Sequence, residues 1–183
     1  IGTLEGSDPD IPNGWKFANG VATATLATAK GLDLADDYGE GIITVDGSKI
    51  TGGFSIHGNI LNNSIKGSKG ADMISGGGGN DTISLGGGAD VYVYQEGNDL
   101  IQDYATVDTI EFSSDFISLT GVETIGSNVV YTTNFGSITV KNGKGKNITL
   151  IDSDGSPINF DEVTIPAGWQ FDSAKKILKA TVA

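Results

Sequence analysis

Short polar side chains that could bind a cation recur every nine residues in the middle of the chain. The column consists of one asparagine and five aspartates, namely Asn63, Asp72, Asp81, Asp90, Asp99 and Asp108. Two residues after each of them stands a bulky apolar residue, in a column that also includes Ile56. Carboxylate oxygens are hard ligands, and a net charge of −12 leaves room for bound cations that this formal charge does not count. Two columns in one register are not a coincidence of composition.

Glycines keep the same register as the aspartates. The stretch GGGGNDTIS at 76–84 contains four consecutive glycines, and one glycine occupies the fourth position of each unit at Gly70, Gly79, Gly88 and Gly97. A run of glycines can be a flexible linker, because glycine has the most backbone freedom to lose on folding. A linker has no reason to hold a nine-residue register. We therefore expect these glycines to serve a backbone geometry that other residues cannot adopt.

The nine-residue unit resembles the repeats-in-toxin (RTX) family, whose nonapeptide is G-G-x-G-x-D-x-U-x with U a large apolar residue. GGGGNDTIS (76–84) matches every defined position. GSKGADMIS (67–75) departs only at the second position. LGGGADVYV (85–93) departs at the first and has Tyr92 in place of an aliphatic residue. A match of this length is specific, unlike a single glycine-rich loop.

The repeats decay towards the C-terminal end. YQEGNDLIQ (94–102) has lost both leading glycines, and DYATVDTIE (103–111) keeps only the aspartate and the isoleucine. The resemblance implies an all-β, right-handed parallel β-roll, in which six residues turn and three form a strand. Residues eighteen apart then stack in neighbouring strands about 4.8 Å apart. A cation midway between two levels would be about 2.4 Å from each, within the range of calcium–oxygen bonds.

The implied stacking gives four candidate calcium levels: 63/81, 72/90, 81/99 and 90/108. The middle two have aspartate on both sides, whereas Asn63 is neutral and the loop before Asp108 has no glycine. We expect at least two Ca²⁺ ions, with room for three or four. Calcium prefers six to eight oxygens, so backbone carbonyls must complete each site. The carbonyls that we expect to do so belong to Gly67, Gly76, Gly78 and Gly87.

The implied roll has a thin core and a strong local charge. Ile65, Ile83 and Ile101 would face Ile56, Ile74, Tyr92 and Ile110. Residues 56–110 contain six Asp and one Glu against two Lys, a charge of −5. Stacked like charges repel, so we expect calcium binding and folding to be one event.

The flanks predict a β-rich module in a longer parent chain. IPNGWKF at 11–17 returns as IPAGWQF at 165–171, an offset of 154 residues, which predicts tandem modules. We expect a boundary segment at 1–35, the roll with irregular first rungs at 36–111, a β-rich cap at 112–155 and the next boundary segment at 156–183. SITV and NITLI, on either side of KNGKGK, read as a β-hairpin within that cap.

Several function classes are excluded by composition and motif. There is no cysteine, the only histidine is His57, and no phosphate-binding glycine motif is present, so we expect no enzyme activity. The acidic charge disfavours nucleic acid, and no apolar run is long enough to span a membrane.

The resemblance implies a secreted or cell-surface bacterial protein that folds on extracellular calcium. Two hypotheses stay open. One is a structural or adhesion module, which the tandem boundary segments favour. The other is the non-catalytic secretion and folding segment of an exoenzyme or toxin. Copies of the module elsewhere in the parent would favour the first, and an enzyme domain upstream would favour the second.

Overall fold

The fold consists of β-strands wound into a roll. The computed structural model describes residues 12–34, 41–158, 169–172 and 177–180, the last two ranges by their backbone alone. These residues form seventeen strands and no helix. The strands of the array alternate between two facing sheets and pair in parallel within each, which confirms the predicted all-β parallel roll.

The strands lie in three sheets. The nine-stranded sheet contains, in spatial order, β1 (Trp15–Ala18), β2 (Val21–Ala24), β4 (Thr44–Asp46), β6 (Ser64–Lys66), β8 (Thr82–Ser84), β10 (Gly97–Ile101), β14 (Gly136–Val140), β13 (Asn128–Thr133) and β12 (Leu119–Ile125). The six-stranded sheet contains β15 (Thr149–Ile151), β11 (Thr109–Phe112), β9 (Val91–Tyr94), β7 (Met73–Gly77), β5 (Ser55–Asn59) and β3 (Leu32–Asp33). The third sheet pairs β16 (Trp169–Asp172) with β17 (Ile177–Ala180).

The eighteen-residue register is confirmed across the array. Ile83 pairs with Ile65 on one side and Ile101 on the other. In the opposite sheet Tyr92 lies between Ile74 and Ile110. All seven side chains of the predicted apolar column are at most 2% exposed. The period of nine therefore builds two stacked apolar columns that face each other across the core.

The roll continues beyond the last recognisable repeat. Val140 in β14 pairs with Ile101, and Leu150 in β15 pairs with Ile110. The predicted hairpin of SITV and NITLI is therefore wrong, because these segments lie in different sheets as successive rungs. Each segment buries an apolar residue on the apolar column of its own sheet. The two strands of a hairpin would lie in one sheet and could not extend both columns. The intervening β12 and β13 add antiparallel strands beside β14.

The roll also begins before the first recognisable repeat. β4 pairs in parallel with β6 and so adds a rung before the first repeat. β2 adds to β4 in parallel and forms an antiparallel hairpin with β1. Trp15 is buried and its indole N–H donates to the Lys30 carbonyl at 2.8 Å. In the described parts of the chain, no helix is present that is long and apolar enough to cross a membrane.

Candidate metal centre

The six predicted side-chain ligands all lie inside the roll. None of them is more than 3% exposed, although five are aspartates. The strand register divides them into two rows, one for each sheet. The rows are Asn63, Asp81 and Asp99 on one side, and Asp72, Asp90 and Asp108 on the other. The predicted stacking of side chains eighteen residues apart is thus confirmed.

One carboxylate oxygen of each aspartate joins two levels of the roll. The backbone N–H of the residue eighteen positions earlier donates to its Oδ1 atom. The N–O distances for the acceptors Asp72, Asp81, Asp90, Asp99 and Asp108 are 3.0, 2.7, 2.8, 2.8 and 3.1 Å. A hydrogen bond to a carboxylate is stronger than one between neutral groups. The aspartates therefore stabilise the stack of loops besides offering oxygens to an ion.

The second carboxylate oxygen separates the central loops from the others. The Oδ2 atoms of Asp81 and Asp90 are buried and have no hydrogen-bond partner. By contrast, Oδ2 of Asp72 accepts from the Ser68 N–H at 2.6 Å, and Oδ2 of Asp108 accepts from the Ala105 N–H at 2.7 Å. Buried polar atoms in folded proteins nearly always have a partner. Among the aspartates of the two rows, Asp81 and Asp90 are thus the two with a buried oxygen that has no protein partner.

The residue at the second position of the loop explains part of this difference. Ser68 and Asn59 hold that position in the earlier loops, and their N–H groups donate to Asp72 and Asn63. Gly77 and Gly86 hold it in the central loops, with φ of 90° and 97°. L-residues rarely adopt such angles, so a glycine is required there. With that backbone path, no N–H of the loop itself donates to Oδ2 of the aspartate at its end.

A side chain at the first position of the 76–81 loop would obstruct the free oxygen. A Cβ atom on Gly76 would lie 1.9 Å from Oδ2 of Asp81. Likewise, a Cβ on Gly58 would lie 2.0 Å from the carbonyl oxygen of Gly76 and 2.6 Å from Oδ1 of Asn63. The loop glycines therefore keep open the space in which carboxylate and carbonyl oxygens of two levels approach each other. This donor set is the one that calcium prefers.

The other predicted carbonyl donors lie in the same stacked loops. A Cβ on Gly67 would lie 2.1 Å from the Leu85 carbonyl oxygen and 2.7 Å from Oδ2 of Asp72. A Cβ on Gly78 would lie 2.7 Å from Oε1 of Glu96, and one on Gly87 would lie 3.6 Å from the Lys69 carbonyl oxygen. Close loop packing requires glycine most clearly at Gly67. The carbonyl ligand role of all four glycines stays a prediction.

Burial makes the ionised form of these carboxylates costly. Burial raises the pKa of Asp81 to about 6, although the hydrogen bond from the Asn63 N–H acts in the opposite direction. The pKa of Asp90 is raised to about 6, first by burial and then by repulsion from Asp108, Asp72 and Asp103. None of the carboxylates in the two rows forms an ion pair with a described residue. A bound cation would supply the missing compensation.

Side chains alone do not surround an ion in this structure. Among the described residues, no group of three or more His, Cys, Asp or Glu side chains converges on one point. A calcium ion held here must therefore take its remaining ligands from backbone carbonyls and water. The carbonyl-rich, side-chain-poor loops of the array fit that requirement.

Sequence reasoning missed two groups at the C-terminal end of the rows. The Tyr92 hydroxyl donates to Oδ2 of Asp99 at 2.5 Å. The Lys146 ammonium donates to the Tyr104 carbonyl. Burial raises the pKa of Asp108, and the charge of Lys146 opposes only part of that rise. The sequence shows Tyr92 as the one residue with a hydroxyl group in a column otherwise made of isoleucine. Nothing in the nine-residue pattern pointed to Lys146, which lies 42 residues from Tyr104 in sequence.

Comparison with known proteins identifies the array. No curated protein matches the chain. The RTX calcium-binding nonapeptide repeat matches residues 57–92 as four copies. The match spans 36 of the 183 residues and includes Asp81, Asp90 and the glycines before them. Repeats of this family bind Ca²⁺, and four copies can hold several ions. This protein therefore carries a calcium-binding module built from the RTX repeats of the hemolysin type.

Proposed function

We propose that this protein is a structural module of a secreted or cell-surface bacterial protein, and that calcium bound at Asp81 and Asp90 folds it. The observation that carries this proposal is the pair of buried, unpartnered Oδ2 atoms on these two aspartates. They end the two loops whose glycine at the second position has a positive φ. Each row of the roll contributes one such oxygen.

Calcium is the partner that the chemistry of these loops favours. A buried carboxylate without a counter-charge costs several kcal/mol, and the described neighbours provide none. Neighbouring levels of a row lie one strand spacing apart, so an ion beside the free oxygen of one level can also take oxygens from the next. We assign carbonyl ligands to Gly67, Gly76, Gly78 and Gly87. Asn63, Asp72 and Asp108 stay candidate ligands through their remaining lone pairs.

Calcium supplies stability that the thin core lacks. At free calcium of about 100 times Kd, one site adds about 2.7 kcal/mol to the free energy of unfolding, so two independent sites add about 5 kcal/mol. That is as much as the whole stability of many small domains. RTX repeat proteins are generally secreted by bacteria, and repeat domains of this kind typically have structural roles. Folding would then begin where calcium is abundant, outside the cell.

The two boundary hairpins support a tandem arrangement. In β1–β2, Trp15 pairs with Ala24, and in β16–β17, Trp169 pairs with Ala180. We propose that both hairpins mark module boundaries, with the segments 1–35 and 156–183 on either side of the repeat-bearing part of the roll at 36–111 and its β-rich continuation at 112–155. A chain of calcium-stiffened modules suits adhesion at a cell surface.

A calcium titration of the chain tests the proposal. We expect the calcium-free chain to be only marginally stable, with a reduced β circular dichroism signal. Binding of about two calcium ions should restore the full signal and raise the melting temperature, whereas magnesium has little effect. Replacement of both Asp81 and Asp90 by Asn should abolish the binding of both calcium ions. These changes keep the side-chain shape and the Oδ1 acceptor.

The control variant is Glu123→Gln. Glu123 is an exposed side chain on β12, so its replacement removes a negative charge outside the array. We expect it to bind calcium as the unaltered chain does. A chain that is equally folded with and without calcium, or a double variant that still binds two ions, would show that the proposal is wrong.

A further inference from the structure

Tyr92 differs from the other members of the apolar column by a hydroxyl group that reaches the opposite row of aspartates. Tyr92 lies in β9 of the six-stranded sheet, and Asp99 lies in β10 of the facing sheet. Its Oη atom is 2.5 Å from Oδ2 of Asp99, and the two residues are 1% and 2% exposed. The tyrosine therefore crosses the core to deliver one hydrogen bond.

That hydrogen bond gives Oδ2 of Asp99 a protein donor, whereas the equivalent oxygen of Asp81, one level away in the same row, has none. Oδ1 of Asp99 accepts from the Asp81 N–H at 2.8 Å, as at every level of the row. Oδ2 of Asp81 has no partner, whereas Oδ2 of Asp99 has the phenol. Apart from this donor, the two aspartates occupy equivalent positions eighteen residues apart.

The rest of the 94–99 loop also differs from a calcium loop. Its first three positions are Tyr94, Gln95 and Glu96 instead of glycine. The Tyr94 hydroxyl donates to the Gly97 carbonyl at 3.0 Å, so a loop oxygen is again paired with a protein hydroxyl. In the sheet, β10 is followed by β14, which belongs to no repeat. The row thus ends at this level.

We propose that Tyr92 takes the place of calcium at Asp99. Its hydroxyl holds the carboxylate by a hydrogen bond, so that the row Asn63, Asp81 and Asp99 ends on a protein donor and Asp99 is a structural group instead of an ion ligand. This inference rests on the proposed function, in which Asp81 is a ligand. It also makes the junction of the array with β14 independent of calcium.

The first test compares Asp99→Asn with Asp81→Asn in the otherwise unaltered chain. Calorimetry and competition with a chromophoric chelator give the number of bound ions. Asp99→Asn should keep the full number, with Kd unchanged within about threefold. Asp81→Asn should lose one ion. Loss of an ion in both variants would preserve the proposed function and overturn the role of Tyr92. An unaltered chain that binds no calcium would overturn both.

The second test is Tyr92→Phe, which keeps the ring and removes the hydroxyl. The calcium-free variant should melt several degrees lower than the parent, because Oδ2 of Asp99 is left without a donor. With calcium it should bind one ion more than the parent, and Asp99→Asn in the same chain should remove that extra ion. An unchanged number of ions in a folded Tyr92→Phe variant overturns the proposal. If this variant does not fold, Asp99→Asn alone decides.

Discussion

The loops at 76–81 and 85–90 and the loops on either side of them share one backbone register but satisfy their carboxylates differently. In the outer loops, the single amide oxygen of Asn63 accepts from Asn59, and the second carboxylate oxygen of each aspartate accepts from Ser68, Tyr92 or Ala105. In the two central loops the second carboxylate oxygen has no protein donor. Stacking is therefore a property of the whole roll, whereas the need for an ion is concentrated in its middle.

This difference shows what the leading glycines contribute. Strand pairing and the Oδ1 hydrogen bonds are kept in the 94–99 and 103–108 loops, where those glycines are lost. Leading glycines are thus dispensable for winding the last two rungs of the array, although close packing requires Gly67 in an earlier one. In the central loops, the leading glycines are required to keep an oxygen free of protein donors and protein atoms.

The largest effect on this comparison is expected from Gly76→Ala. The new methyl group would lie 1.9 Å from Oδ2 of Asp81, so either the carboxylate or the loop must move. We expect the loss of one calcium ion and, at saturating calcium, a free energy of unfolding lower by about 3 kcal/mol or more. Chemical denaturation in calcium and in chelator separates the lost ion from simple overpacking, because only overpacking persists without calcium.

Gly52→Ala is the matched control for that variant. Gly52 has no positive φ, and a Cβ there would have no atom within 4 Å. Its stability should stay within about 0.5 kcal/mol of the parent. If Gly76→Ala bound two ions with unchanged affinity, the space beside Asp81 would have no part in calcium binding.

The pH dependence of the calcium-free chain tests the central carboxylates. Their pKa is raised by burial, to about 6 for Asp81 and Asp90, and that of Asp99 is raised to about 7. Between about pH 4 and 7 the folded chain therefore holds protons that the unfolded chain has released. The free energy of unfolding must then fall as pH rises through this window. Without calcium, melting should occur several degrees higher at pH 5 than at pH 8.

With calcium, the chain should instead be more stable at pH 8 than at pH 5. Calcium binds the ionised carboxylates at pH 8, whereas at pH 5 it must compete with protons. Thermal unfolding at four pH values with resin-depleted and calcium-loaded protein would show the crossing. The Asp81→Asn, Asp90→Asn variant should have a flatter calcium-free profile. Higher stability at pH 8 than at pH 5 without calcium would contradict the buried, uncompensated charge.

A smaller effect is expected from Lys146→Met at the end of the second row. The ammonium bonds the Tyr104 carbonyl, and the Tyr104 hydroxyl in turn donates to the Asp108 carbonyl at 2.6 Å. Loss of this charged hydrogen bond should lower the free energy of unfolding by about 1–2 kcal/mol, with and without calcium. Lys144→Met, at an exposed position two residues earlier, is the control. Equal stability of the two variants would exclude a structural role for Lys146.

The sequence predicted the roll better than the site because the two depend on different kinds of information. The apolar column from Ile56 to Ile110 fixes the register, since a slip of one residue would expose it. The hydrogen bonds from Tyr92 and Lys146 come from outside the repeat unit that contains their acceptor. The predicted hairpin at 137–151 is wrong for a related reason. Its apolar pattern fits both a hairpin and two successive rungs. The rungs form because Val140 and Leu150 can then pack on Ile101 and Ile110, the last residues of the two apolar columns.

The smallest and sharpest test is Ser68→Gly, which gives the 67–72 loop the glycine of its central neighbours. Ser68 donates to Asp72 through its N–H at 2.6 Å and its hydroxyl at 2.7 Å. The glycine removes the second bond and permits the positive φ at which the first is absent in the central loops. We expect the calcium-free chain to lose about 1 kcal/mol and the calcium-loaded chain to bind one additional ion at Asp72. Ser68→Ala removes the hydroxyl without allowing that backbone, so it should lose the stability and gain no ion. If both variants bound the same number of ions, the second-position glycine would not be what separates a calcium loop from a self-satisfied one.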